Sequence, residues 1–265
     1  MTVPTLLYHD VITSDDWTES GFNEFNAEIY KLREQAFVAH LERLRALGTA
    51  PVLLGEVAAR GSWRLTFDDG GVSAATVVAP MLDRLGWSAF LFVATGRIGT
   101  PGFLDERQIR ELAARGHVIG SHTANHPMPM SACSLERLRR EWLESVDTLA
   151  PILGKRPETA SIPGGALTPA VAQAAAEAGI RYLFTSEPVA RTWSFHGVTC
   201  IGRYTLWRGM NPSVAAACAR GRGIWPVRQR LTWATKKVAK RYLGTTYLAV
   251  RERVLGGAGH TVPGA

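Results

Sequence analysis

Thiols are scarce in this chain of 265 residues: Cys133, Cys200 and Cys218 are odd in number, far apart and form no CxxC pair. Neither a disulfide framework nor a thiolate zinc site is expected, and reduced thiols in the cytoplasm are the default. Long apolar runs are missing too, so no membrane span is predicted. The opening MTVPTLLYHDV lacks the basic start and apolar stretch of a cleavable export signal, which points the same way. Carboxylates are nearly absent from one region. Basic residues crowd between Arg220 and Arg253, where Glu252 is the only acid, so the net charge of +7 belongs to the C-terminal segment and the body is close to neutral.

What remains is ordinary globular composition, 46% hydrophobic and 20% charged, enough for one sizeable core or a core plus an appendage. Two units are expected: a body over 1–210 and a basic extension over 211–265. Along the body, β-rich runs alternate with helical patterns, the mark of βα units and a parallel sheet or barrel. PTLLYHDV, WRLTFDDG, SAFLFVATG, HVIGSHT, TASIPGG, IRYLFTSE and CIGRYTLW read as strands. FVAHLERLRALG, AATVVAPMLDRLG, DERQIRELAARG, SLERLRREWLESVDTLAPILG and TPAVAQAAAEAG read as helices, with Pro80 expected to bend or split the second.

Polar residues fall where such sheets gather their sites. YHDV, TFDDG, SHTANH and SIPGG all stand at or just beyond the C-terminal ends of strands. Two imidazoles, His122 and His126, plus one carboxylate form a standard donor set for a catalytic divalent metal, with Asp69 as the third donor. Read alone, the histidines could equally cap a loop, and the Asp68–Asp69 pair could be a solvated turn.

TFDDG followed by HTANH resembles the first two signature motifs of the polysaccharide deacetylase family (NodB homology, carbohydrate esterase family four). The likeness continues in FLFVATGRIG, FLDERQIRELAARGHVIGSHT and PGGALTPAVAQAAAEAGI, and so covers roughly residues 60 to 185. It implies an α/β fold, a distorted (β/α) barrel of the NodB type, and metal-dependent removal of an N-acetyl or O-acetyl group from a saccharide, in polysaccharide or glycolipid biosynthesis. Carried over by motif, Asp69, His122 and His126 hold the metal, with zinc first and cobalt or nickel as alternatives, while Asp68 is the general base. One carboxylate goes to the cation and the other stays free to take a proton from water.

The family's usual acid histidine, in a motif near the end of the domain, has no counterpart here; His196 in WSFHGV lies in unlike surroundings. LLYHDV instead resembles the N-terminal strand of a permuted branch that includes the poly-N-acetylglucosamine deacetylases, which makes His9 the expected general acid, with Asp10 near enough to orient it. The third motif normally carries Arg-x-Pro and an aromatic, whereas Ser161, Ile162, Pro163, Gly164 and Gly165 stand here. Gly164, beside Pro163, could still offer a backbone donor to an oxyanion, and Arg203 in IGRY is a candidate partner for Asp68. His117 reads as packing, and His40 and His260 as incidental. The altered motif keeps a second class open, a weakly catalytic carbohydrate-binding or scaffold protein, alongside a deformylase or another amide hydrolase.

In the basic extension, Val227, Leu231, Ala234, Val238 and Tyr242 recur at the spacing of one helix face, with arginines and lysines filling the others and Trp225 and Trp233 adding interface-seeking rings. Over residues 225–253 the pattern suits an anionic membrane surface at the inner face, or equally a helix packed on the barrel. Nucleic acid is not an expected partner, because the body has no basic groove.

Overall fold

The computed structural model describes residues 2–235. Its elements run from β1 (Thr5–Tyr8) and β2 (Val11–Ile12) through α1 (Phe25–Glu28), β3 (Leu32–Arg33) and α2 (Glu34–Arg45). Then come β4 (Arg64–Phe67), α3 (Ala79–Arg84), β5 (Phe90–Val93), α4 (Glu106–Ala114), β6 (Val118–Ser121) and α5 (Leu135–Leu153). β7 (Thr159–Ser161), α6 (Pro169–Glu177), β8 (Tyr182–Phe184), β9 (Thr192–Phe195) and β10 (Val198–Ile201) follow. β11 (Tyr204–Thr205), α7 (Pro212–Ala219) and a helix over 224–235 complete the described chain.

Nine of these strands form one sheet in the order β11-β1-β4-β5-β6-β7-β8-β10-β9, parallel throughout except where β9 turns back on β10. β2 and β3 make a separate parallel pair. Gly202 and Arg203 carry the chain from β10, near one edge of the sheet, to β11 at the other. The curled sheet is therefore a distorted barrel whose seam is crossed by backbone rather than by a hydrogen-bond ladder.

Strand periodicity sorts side chains into two layers. Leu6, Tyr8, Leu65, Phe67, Leu91 and Val93 face outward into the main core, against Phe37, Leu41 and Leu44 of α2 and Val214 and Cys218 of α7. Ala160, Leu183 and Cys200 likewise meet Trp142 of α5 and Val171 of α6. The opposite parity points into the barrel, where Phe90, Phe92, Phe184 and Ile201 make a small cluster of their own. Gly120 belongs to this inward set, and a Cβ there would stand only 2.7 Å from the Phe92 ring and 2.6 Å from Thr159 Oγ1. Extended by one step past the strand ends, the same parity reaches His9, Asp68, His122 and Arg203.

His40 is buried between β1 and the loop before α7, where its ring meets the Tyr8 hydroxyl at 3.0 Å and the Met210 carbonyl at 2.9 Å. Burial lowers its pKa, so it serves as a neutral core pin.

Several expected elements take a different form. The helix carrying Pro80 divides just before it: one π-helical turn over Ala74–Val78 leads into α3, which holds Pro80 in its first turn. The Ala79 N–H bonds Ala74 O across the wider turn, which accommodates the missing donor and bulky ring of the proline. CIGRYTLW is two strands, interrupted at Gly202, where a Cβ would meet the carbonyls of Val189 and Glu187 at 2.4 and 2.7 Å. Residues 192–195, not expected as a strand, form β9, and His196 and Gly197 make the tight turn into β10 with φ of 44° and 85°. At the start of the basic extension, α7 packs on α2 with Val214, Ala215, Cys218 and Ala219 buried in the main core. Trp225 also packs against that core instead of facing outward. Residues 236–253 of the extension, and His260, lie outside the described residues. Among the described residues no helix is long and apolar enough to cross a membrane.

Candidate active site

The two carboxylates part company at the end of β4. The Asp68 N–H still donates to Tyr8 O at 3.0 Å, continuing the strand, whereas Asp69 turns into the left-handed region with φ of 75°. That reversal sends the side chains to different partners.

Asp68 goes to Arg203, a fully buried guanidinium. Nη1 donates to Asp68 Oδ1 at 2.7 Å and Nη2 to Oδ2 at 2.9 Å. The remaining N–H groups donate to Thr185 O at 2.9 Å, Thr66 Oγ1 at 3.2 Å and Ser161 Oγ at 2.7 Å, so all five donors of the fork are used. Ser161, where the family motif would carry its arginine, donates its hydroxyl to Asp68 Oδ2 at 2.9 Å. A serine is short enough to leave room for a guanidinium arriving across the seam. Burial alone would raise the Asp68 carboxyl, but Arg203 and then His122 outweigh it and hold the pKa below the usual range.

Asp69 meets the histidines. Its Oδ1 lies 3.4 Å from His122 Nε2 and 3.5 Å from His126 Nε2. One ligand atom from each of the three residues lies within 4.8 Å of the others. The His122 Nδ1–H donates to Ser161 O at 2.9 Å, which aims Nε2 inward. The 3.4–3.5 Å separations are longer than good N–H···O bonds. They match the roughly 3.3–3.4 Å between ligand atoms that each sit about 2.0–2.1 Å from a tetrahedral zinc ion. The electrostatics of the cluster point the same way. The Asp69 carboxyl stays well below its usual range because His122, His9 and His126 outweigh burial, and His122 is raised because Asp68 and Asp69 outweigh burial. His126 is pushed down to about 4, by burial and then by His122. The carboxylate and two imidazoles together are a donor set that fits a divalent cation.

The loop carrying His126 is strained and tightly held. Thr123 and His126 have φ of 65° and 53°, and the His126 N–H donates to Thr123 Oγ1 at 3.1 Å. Behind them, Glu141 of α5 is only 4% exposed and accepts from the Asn125 N–H at 2.8 Å and its side-chain amide at 3.3 Å. A carboxylate on the apolar stripe that also carries Leu138, Trp142 and Ser145 was the sequence signal for this role. Glu141→Gln replaces one lone-pair acceptor with an N–H that faces the Asn125 donors. Metal affinity should fall about 10–100-fold by calorimetry, with the fold intact; unchanged affinity would show that the loop holds itself.

Asp10 does not orient His9. Its Oδ1 accepts from the Ser20 hydroxyl at 2.6 Å and the Ser73 hydroxyl at 2.8 Å, while the buried Lys31 ammonium donates to Trp17 O and Ser20 O at 2.6 and 2.7 Å. Together they tie down the segment that carries Phe22, whose ring packs 4.6 Å from that of His126. Burial raises the Asp10 carboxyl. His9 stacks on Tyr30 at 4.7 Å, and its Nδ1 is buried with no hydrogen-bond partner among the described residues. Gly164, exposed on a turn with φ of 65°, follows β7 at the same rim, next to the buried Pro163. His117 is a packing residue whose Nδ1 accepts from the Ala89 N–H at 3.2 Å.

A profile of the polysaccharide deacetylase family matches residues 56–183. That stretch belongs to the family. YxkH of Bacillus subtilis (strain 168), named for the same family, is 24% identical over 215 residues, 81% of this chain and 75% of its own length. The fold is shared with the Streptococcus pyogenes deacetylase PplD, solved in complex with acetate, at a TM-score of 0.67 and 22% identity over 80% of this chain and 96% of that one. It is shared also with IcaB from Ammonifex degensii, at 0.65 and 24% over 83% and 97%. Membership places the chain among the carbohydrate deacetylases, which are hydrolases. The matched stretch holds Asp68, Asp69, His122, His126 and Ser161, whereas His9 and Arg203 come from outside it.

Proposed function

We propose that this polysaccharide deacetylase family member hydrolyses an N-acetyl or O-acetyl group on a saccharide with a divalent metal, zinc first, held by Asp69, His122 and His126. The observation that carries the reading is the convergence of three lone-pair donors at metal-ligand spacing beside a second, differently partnered carboxylate. A bound divalent ion supplies Lewis acidity, lowering the pKa of water toward about 7 and polarising the acyl carbonyl.

The chain's own groups do the rest. Arg203 and Ser161 keep Asp68 ionised and fixed, so that it accepts the proton of the attacking water as the new C–O bond forms. The Gly164 N–H donates to the oxygen that gains charge. His9 gives its proton to the leaving nitrogen as the C–N bond breaks, and the products are acetate and a free amine. Support for His9 is its place just past the end of β1, on the same inward parity as Asp68 and His122, with a buried Nδ1 that has no hydrogen-bond partner among the described residues. The scaffold alternative rested on the missing third-motif arginine, and the Arg203 fork offers a guanidinium from the connection between β10 and β11.

Acetate release from a panel of N- and O-acetylated saccharides is the test. Activity should vanish on chelation and return with zinc, cobalt or nickel; a metal-loaded protein that releases no acetate from any of them overturns the reading. His9→Ala should lower kcat about 10²–10⁴-fold at unchanged metal stoichiometry. Full turnover in that variant would remove His9 from the mechanism.

A further inference from the structure

The helix over 224–235 is docked by one side only. Trp225 packs against the main core, Pro226 is buried, and Gln229 clamps the backbone of β11: its Oε1 accepts from the Thr205 N–H at 3.2 Å and its Nε2 donates to Thr205 O at 2.9 Å. Trp233, one turn further along the same side, is half-buried. At about 100° per residue these positions share a face, and the opposite face has no cover among the described residues. It carries Ile224, Val227 and Leu231, which are 76%, 52% and 63% exposed. Their i, i+3, i+7 spacing makes a continuous stripe. The other large exposed apolar residues, Ile29, Val38, Val57, Met128 and Leu143, are scattered over separate segments.

Charge identifies the occupant. Arg228 and Arg230 are exposed and flank the stripe, roughly 70° to one side of its centre and 90° to the other. Arg220 and Arg222 precede it, and no carboxylate side chain occurs between Glu187 and Glu252. A second copy of the chain on this face would bring like-charged arginines together with no acid to separate them. A nucleic acid would satisfy the arginines but leave the apolar stripe without a partner. A bilayer containing anionic lipid accommodates both, since side chains such as Ile224 and Leu231 sink below the headgroups while guanidinium ends stay among the phosphates.

We infer that the outward face of helix 224–235 docks this protein on an anionic lipid bilayer, Ile224, Val227 and Leu231 entering it and Arg228 and Arg230 pairing with headgroup phosphates. The docked helix is tied through Gln229 to the strand that begins one residue after Arg203, so the surface contact and the barrel move as one body.

The test is co-sedimentation of the full chain with phosphatidylcholine vesicles, with and without about 30 mol% phosphatidylglycerol. Partitioning should favour the anionic vesicles at least about tenfold and weaken as salt rises. Combining Ile224→Ser, Val227→Ser and Leu231→Ser should lower it about tenfold or more, as should Arg228→Gln with Arg230→Gln, each at an unchanged melting temperature. Equal binding of the serine variant and the parent overturns the inference. So does indifference to lipid charge, or a parent dimer that the serine changes dissolve while vesicles go unbound. The readout involves no hydrolysis, so its failure would leave the proposed deacetylation by the barrel standing.

Discussion

Arg203→Met will destabilise the fold by about 3–5 kcal/mol and abolish most activity, because it strands a buried carboxylate without its counter-charge. The guanidinium is fully buried, spends all five donors on Asp68, Ser161, Thr66 and Thr185, and lies over the rings of Phe92 and Phe184. For a chain of this size the loss is a fall in melting temperature of about 10 °C. Arg203→Lys will recover little, since a point charge cannot bond both oxygens of Asp68 while holding Thr185. Adding Asp68→Asn to the methionine variant should return much of the stability without returning turnover, since the orphaned charge is then gone. A methionine variant as stable as its parent would show that the fork is ornamental.

Asp69→Asn carries the second large effect. Asparagine keeps the size of the side chain and tolerates the left-handed backbone that φ of 75° demands, so the fold should survive. The lost negative charge leaves two imidazoles and a neutral amide to bind a divalent ion. Turnover should fall about 10³-fold, corresponding to about 4 kcal/mol of transition-state stabilisation. The thermodynamic readout is independent of substrate. Metal at about a hundred times its Kd should stabilise the parent by about 2.7 kcal/mol and the variant by far less; equal stabilisation would place the ion somewhere other than Asp69.

The parts of the molecule most legible in the sequence are those whose information is local. An apolar run ending in TFDDG or GSHT carries its own period, its own stop and its own chemistry, and the strands β4 and β6 end within those motifs, just before Asp68 and His122. Where the determining contact is distant, the signal fades. Arg203 is 135 residues from Asp68, and nothing in IGRY distinguishes a buried fork from a surface arginine. Gly202 has no room for a side chain because the carbonyls of residues 187 and 189 stand where a Cβ would go, which a local reading of CIGRYTLW cannot weigh. β9 is a half-exposed edge strand of four residues, and α7 is an alanine-rich helix buried on most sides, so neither has a strong amphipathic period. Asp10 shows the opposite error: adjacency to His9 suggested a partnership, yet neighbouring residues near a strand end project to opposite sides, and Asp10 meets Ser20 and Ser73 instead.

The seating of β1 between β11 and β4 has a practical consequence for trimming this protein. An excised piece spanning 56–183 would keep both histidines and the carboxylate pair, yet it would forfeit the two strands that flank Asp68 on its open side. The exposed ladder of β4 would then be a raw border, prone to recruit strands from other molecules and clump. Asp68 is accordingly enclosed by strands far apart in the polypeptide, and a piece that lacks β1 or β11 loses a wall of the cavity around it.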